Sequence, residues 1–346
     1  MDKKKRKRKL WIRLVALFLV LTMVVGYWAS AVTDIRIADD ASNAAMSYLA
    51  TQTDYVNQDK PARIMSLVRS MKKSESLEDY YLQASMRIGS AKYEEALPYI
   101  EQCLTLCSPS ENRDVYLDVL TKKGCLLALL QRNDEAVETL NKALETNKNL
   151  QDVYLVLAQI YLEENDTQKL EETLKTYLDL YPDDTDVRTT YLQTLAAVGK
   201  AEEAREQGEM IISATGVSET NLDDAYHVMA ILDFEEENFE SALGYLEKIK
   251  NNEGTYNDIY YDMGICHMSL SEMDKATECF TRSIEVGYNK QTCLYSRGVC
   301  EFSKEEADYQ SALEDLVAAY EYEGEDRDEE TASMAEEFLL AVTAAE

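Results

Sequence analysis

The chain has 346 residues, 46% hydrophobic and 29% charged, with only 12 Gly and 4 Pro. That composition is globular, and the scarcity of Gly and Pro favours long helices over turn-rich β structure. Acids outnumber bases 65 to 35, an excess that excludes nucleic acid as a partner, because phosphate recognition needs stripes of Lys and Arg.

The first element is a membrane signal. Seven basic residues at positions 3–9 precede an apolar run from Leu10 to Ala31, interrupted only by Arg13. About 20 apolar residues suffice to cross the hydrocarbon core as a helix. Arg13 lies where its side chain can snorkel to the headgroups, and Trp11, Tyr27 and Trp28 suit the two interfaces. The basic tail, 1–9, is expected in the cytoplasm, with 10–31 as a signal-anchor and the remainder outside the cytoplasm. Ala29-Ser30-Ala31 also fits a small-residue cleavage site, in which case the domain is secreted after Ala31. Beyond residue 13 the chain holds 27 basic and 64 acidic groups, a net charge of −37, which favours solubility and cationic partners.

From about residue 40 a phrase recurs. An alanine marks the second of two amphipathic stretches at Ala62, Ala96, Ala136, Ala204, Ala242, Ala276 and Ala312, with Leu170 in the slot between Ala136 and Ala204. The spacings are 34, 40, 34, 34, 38, 34 and 36 residues. Twelve residues earlier stands another small residue, at Ala50, Ala84, Gly124, Ala158, Ala230 and Gly264. Gly298 fills that role if two residues are added to the turn, and Leu192 is the exception. Small residues at both places let two antiparallel helices approach closely, while bulky neighbours three and four positions away fill the seam.

This pattern resembles the tetratricopeptide repeat, a helix–turn–helix unit of about 34 residues. Ala158, Tyr161, Leu174 and Pro182 match its small, aromatic, bulky and proline positions, and Ala136, Leu140 and Ala143 give a second match. Leu170 and Tyr177 depart from it, where small residues are expected, and Pro98 falls inside a second helix that it should bend. The resemblance implies an all-α fold: a right-handed α-solenoid of about eight repeats over 32–326, following the N-terminal transmembrane helix. One helix pair cannot bury enough apolar area to offset the entropy of ordering it, so each unit must cover the next. The stretch 327–346 is amphipathic and out of pattern, and is read as a capping helix. The acidic segment before it lacks the spacing of a calcium loop.

Chemistry-bearing motifs are scarce. The two histidines, His227 and His267, lie on different repeats, and no phosphate loop, HExxH or G-x-S-x-G occurs. The seven cysteines include no CxxC pair and read as small buried residues, with a disulfide open if the domain faces an oxidising compartment. No enzyme activity, cofactor or metal is expected.

The resemblance directs attention to the first helix of each pair, which lines the concave face in such solenoids. Its second position is acidic in six consecutive units: Glu78, Asp118, Asp152, Asp186, Asp224 and Asp258. Such acids also complement the helix dipole or cap free N–H groups, and that reading stands beside the binding one. The fifth position holds Tyr81, Leu155, His227, Tyr261 and Tyr295. A groove rimmed by acids and floored by tyrosine suits an extended cationic segment. A clamp for a C-terminal carboxylate, known in this family, lacks its bases here, Lys122 excepted. Asn165-Asp166-Thr167 is a formal glycosylation sequon in a turn. The expected function is a membrane-anchored scaffold outside the cytoplasm that binds a protein or peptide through this groove. The alternative is a structural envelope protein that self-associates or bridges assemblies.

Overall fold

The computed structural model describes residues 76–250, 258–304 and 308–343. The segment 10–31, the marker pair Ala50 and Ala62, and the end of the capping stretch lie outside them. Among the described residues there are fifteen α-helices and no strand. None of these helices is long and apolar enough to cross a membrane. Two compact units divide the described residues between Thr194 and Leu195, inside the seventh helix.

The first unit contains α1 (Leu77–Ile88), α2 (Tyr93–Leu106), α3 (Arg113–Leu129), α4 (Asn133–Thr146), α5 (Gln151–Glu163), α6 (Thr167–Leu180) and most of α7 (Thr185–Ala197). Successive helices from α1 to α6 pack pairwise, and α3 also touches α5. The second unit holds α8 (Ala201–Ser213), α9 (Glu219–Glu235), α10 (Phe239–Leu246), α11 (Ile259–Ser269), α12 (Met273–Val286), α13 (Lys290–Ser303), α14 (Tyr309–Tyr320) and α15 (Glu329–Thr343). Here too each helix packs on the next, and α15 lies against both α13 and α14.

The small-residue markers sit at the helix crossings. Ala84, Ala96, Ala136, Ala204, Ala242, Ala276 and Ala312 are all fully buried. A Cβ added to Gly124 would lie 2.4 Å from Leu140, and one added to Gly264 would lie 2.6 Å from Phe280. The glycines are thus fixed by close approach of a bulky neighbour on the second helix, the packing that the phrase implies. Leu170 and Leu192, the two bulky exceptions, are also fully buried.

Tyr177 stands where a small residue is expected, and the structure gives the reason. Its ring lies among Tyr154 and Tyr181, at 6.3 and 4.9 Å between centroids. Its hydroxyl reaches past the helix to donate to Asp184 and accepts from Gln151 Nε2 at 2.6 Å. Asp184 in turn accepts from the Val187 N–H at 3.1 Å, closing the start of α7. A buried phenol with both hydrogen-bonding roles filled carries little polar penalty. Pro98 removes one helical N–H, yet α2 continues unbroken to Leu106.

The tight turns between first and second helices share one device that the sequence hides. Ala91, Gln131, Asn165, Glu237 and Ser271 adopt positive φ, as does Gly199. Each stands five residues before its marker. In every case the following N–H donates back to a carbonyl five residues earlier, as Lys92 does to Arg87 and Glu272 to His267. This is the left-handed helix stop that satisfies orphan carbonyls. Only one of the six is glycine, so the other five carry a Cβ in a region that disfavours it.

The two long spacings also have a local cause. Helices α3 and α9 each have 17 residues, against 13 in α5 and α7. The four extra residues of the second spacing, and four of the six in the first, extend the first helix at its start; the other two lengthen the connection before α3.

In the second unit α15 shields the core. Phe338 packs edge-on against Phe302 and Tyr295, at 5.4 and 6.4 Å. Gln291 anchors its entry: the buried amide donates to the carbonyls of Ala319 and Asp328, both at 3.0 Å, and accepts from the Asp328 N–H at 2.6 Å. All seven cysteines are free, and six of them are buried. Burial, ahead of neighbouring charge, pushes the Cys103, Cys125 and Cys293 thiols up to about 12, which keeps them inert.

Candidate functional site

The acidic second positions divide into two groups once helix starts are known. Glu78, Asp152 and Asp186 lie in the first turn of α1, α5 and α7 and are exposed. They complement the helix N-termini. Asp118 and Asp224 do not, because α3 and α9 begin one turn earlier and place them in the second turn. Asp118 is half-buried and Asp224 buried. Asp258 stands at the N-cap of α11 without making the side-chain cap bond, since its carboxylate turns towards His227. The uniform row of helix caps therefore breaks at three of its six members.

The fifth positions are not a floor of exposed rings. Tyr261 and Tyr295 are core residues, 4% and 1% exposed, and offer no surface to a groove ligand. Tyr261 meets Phe280 and Tyr288, each at 6.1 Å, and Tyr295 meets Phe338. The reason is packing: in the second unit these rings fill the seam between one hairpin and the next. Burial, with nearby Cys293 and Asp262, holds the Tyr261 phenol well above its ordinary range, so it stays neutral. Tyr81, Leu155 and His227 remain half-buried.

Two clusters organise what is left, one in each unit. In the first unit the Tyr81 hydroxyl donates to Asp118 Oδ2 at 2.7 Å. Lys122, one turn beyond Asp118 on α3, donates to the other carboxylate oxygen and lies over the Tyr81 ring at 5.2 Å. Lys122 is only 2% exposed. Burial lowers its ammonium below the ordinary range, opposed by the attraction of Asp118. Burial also raises the Tyr81 phenol, with Asp118 adding to the shift.

The second cluster joins His227 on α9 to Asp258 and Asp262 on α11. His227 Nε2 lies 3.3 Å from Asp258 Oδ2. Asp262 stands one turn further along α11, is 4% exposed, and brings a carboxylate oxygen within 4.8 Å of the other two groups. Burial pushes the Asp258 carboxyl up, but the charge and hydrogen bond of His227 outweigh it and hold the group below its usual range. Asp262 goes the other way: burial, then the like charge of Asp258, holds its carboxyl well above the ordinary range. Sequence reasoning found His227 and Asp258 but missed Asp262. The available signal was its place four residues after an acid on a first helix, hence on the same face.

The comparisons with known proteins agree on the repeat. A family model described as tetratricopeptide repeat matches residues 127–190. A TPR repeat-containing protein of Methanocaldococcus jannaschii is 26% identical over 183 residues, covering 52% of this chain and 30% of that relative. The chain thus matches less than a third of that relative's length. Among solved structures, a tetratricopeptide repeat protein from Parabacteroides merdae aligns over 78% of this chain and all of its own, at 14% identity and TM-score 0.47. The pilF protein of Pseudomonas aeruginosa aligns over 65% of this chain and all of its own, at 17% identity and TM-score 0.48. The family match and the sequence relative support tetratricopeptide-repeat character. Likenesses of this size leave the function of the chain to its own residues.

Proposed function

We propose that the chain is a membrane-anchored scaffold outside the cytoplasm that binds a cationic protein or peptide along the exposed acids of its first helices. The observation that carries this reading is the exposed set Glu78, Asp152 and Asp186, on α1, α5 and α7 of one unit. These acids belong to a region of net charge −37 beyond residue 13. Exposed carboxylates of one sign steer and hold a Lys- or Arg-bearing segment, with a strength that falls as salt screens them. The tyrosine floor is withdrawn from this reading; Tyr81 and Leu155 are the fifth-position side chains that stay half-buried in the same unit. The basic tail and the apolar run 10–31 supply the tether and the orientation. Repeats of this kind are interaction modules, and no catalytic role is assigned to any residue.

The test is fluorescence anisotropy with a labelled Lys/Arg-rich extended peptide, titrated with the full chain in detergent. Binding should weaken about tenfold or more between low and physiological-to-high salt, and should weaken again in the double variant Asp152→Asn, Asp186→Asn. Salt-independent binding, or binding indifferent to the double variant, would remove the acidic surface as the site. Protease protection in intact cells, with a solubilised control, reads the orientation of the domain.

A second reading, end-on self-association, has one observation in its favour. Tyr309, Val317 and Tyr320 on α14 and Leu340 on α15 are exposed, the last by 65%. Sedimentation velocity of the full chain and of Leu340→Glu decides it: a concentration-dependent oligomer lost in the variant supports association through this end.

A further inference from the structure

The His227, Asp258 and Asp262 cluster is short of positive charge. Its counterpart in the other unit shows what closes such a cluster. Tyr81 and His227 occupy the same position of their repeats, Asp118 and Asp258 the next unit's second position, and Lys122 and Asp262 its sixth. In the first cluster the sixth position brings an ammonium that pairs with the aspartate. In the second it brings another carboxylate. The second cluster thus gathers two carboxyl groups and no ammonium in a half-buried to buried site, where a negative charge is costly without a cation beside it.

Asp262 makes the deficit specific. Among the described residues its side chain has no hydrogen-bond or ion-pair partner, although it is more than nine-tenths buried. Asp258, of like sign, stands one turn before it on the same helix. Its backbone is ordinary helix, the N–H donating to Asp258 at 2.9 Å, so no local strain accounts for its orientation. A buried carboxylate without donors, aimed at an imidazole nitrogen and a second carboxylate, is the arrangement of a ligand set.

We propose that His227, Asp258 and Asp262 bind a divalent cation of the zinc class and thereby clamp α9 to α11. The donor set selects the metal. One imidazole nitrogen and two carboxylate oxygens suit a borderline ion such as Zn2+. Ca2+ and Mg2+ prefer more oxygen ligands, and Cu(I) prefers sulfur. Two ligands bonded at about 2.0–2.1 Å in a tetrahedron stand about 3.3 Å apart, which is the separation of His227 Nε2 and Asp258 Oδ2. Asp262, with an oxygen within 4.8 Å of both, reaches the third corner by a small side-chain shift, and water takes the fourth. A neutral imidazole, two carboxylates and a doubly charged ion sum to zero, the same balance that Lys122 gives the first cluster. Because the ligands come from the first helices of neighbouring hairpins, binding the ion stabilises that junction by mass action. The site stands independently of the peptide-binding reading, since the exposed acids of that reading lie in the other unit.

The experiment is isothermal titration of the chelator-treated full chain with ZnCl2, with MgCl2 in a parallel arm. One zinc per chain is expected, with Mg2+ far weaker. Asp262→Asn and His227→Gln should each weaken zinc binding by at least about 10–100-fold, the loss already typical of an outer-shell partner. Cys266→Ser, one turn beyond Asp262, should bind as wild type. Asp262→Asn is isosteric and removes a buried carboxyl, so its circular dichroism and Tm should match or exceed those of the metal-free wild type. Excess zinc should raise the wild-type Tm by about 5–10 °C and leave that of Asp262→Asn unchanged. No saturable zinc uptake, equal binding of Mg2+, or uptake undiminished in folded Asp262→Asn would overturn the assignment. A Co2+-loaded protein with strong thiolate charge-transfer absorption would also overturn it.

Discussion

The two polar clusters occupy equivalent places in the repeat, yet one closes on itself and the other does not. Tyr81, Asp118 and Lys122 pair donor with acceptor and cation with anion inside a low-dielectric seam. His227, Asp258 and Asp262 hold one partnership and leave a carboxylate without one among the described residues. The clusters differ at two of three positions, Tyr81 against His227 and Lys122 against Asp262, and the second of these exchanges an ammonium for a carboxyl. The comparison teaches that the repeat fixes where polar side chains meet, while the sixth residue of the first helix decides what the meeting can do.

The strongest way to break the comparison is to remove the closing cation. Lys122→Met should leave Asp118 and the Tyr81 hydroxyl without a charged donor and cost about 3 kcal/mol, read as a shift in the urea midpoint. A loss below about 1 kcal/mol would show that the first cluster is not held by its ion pair. The shared scaffold is tested next, at the glycines behind each cluster. Gly124→Ala and Gly264→Ala should each cost about 2 kcal/mol, because the new methyl meets Leu140 or Phe280. Unequal losses would mean that the two seams differ in more than charge.

The open cluster gives the third prediction, and its sign runs opposite to the first. In metal-free protein Asp262→Asn should raise stability by about 1–2 kcal/mol at neutral pH, since it removes a carboxyl that ionises freely in the unfolded chain but is opposed in doing so by burial in the folded one. The pH dependence follows from the direction of the shift. A carboxyl raised in the folded state binds its proton more tightly there than in the unfolded chain. Its contribution is therefore fully favourable below the unfolded value and is lost as pH rises through the folded value. The advantage of the asparagine variant should be widest above the raised value and close as pH falls towards the ordinary carboxylate range. Asp258, held below its usual range, works in the reverse sense and loses its contribution under acid. Urea midpoints of both proteins, taken with chelator across that range, read the difference.

The smallest effect belongs to the turns that both units share. Gln131→Gly in the first unit and Ser271→Gly in the second should each stabilise by about 0.5 kcal/mol. Glycine accepts positive φ without a Cβ penalty but loses more entropy on folding, so the net gain is slight. Thermal melts compare the two substitutions directly.

Much of the fold was legible because it is written in small residues. Ala96, Ala136, Ala204, Ala242, Ala276 and Ala312 announce helix crossings, and every one of them is buried. The site was legible only in part. Tyr261 and Tyr295 were placed in a groove because repeat position alone gives a side chain's angle around its helix, not the depth of the neighbour covering it. Tyr288 and Phe280 close over the one, and Phe338 of α15 over the other. Asp262 was missed because in a chain with 65 acids one more carried no signal until a histidine from the previous repeat stood beside it. The left-handed turn residues escaped for a different reason: Ala, Gln, Glu and Ser do not advertise positive φ, and the geometry is imposed by the helices they join.

The long first helices carry a consequence for how such a chain can change length. Helices α3 and α9 exceed α5 and α7 by four residues, just over one turn. At about 100° per residue, four added residues return the greasy stripe to within about 40° of its former azimuth, whereas two would swing it to the far side. Growth or trimming inside a helix is thus quantised, and natural variants of this protein should differ there by threes and fours, with indels of one or two residues confined to the stretches between helices.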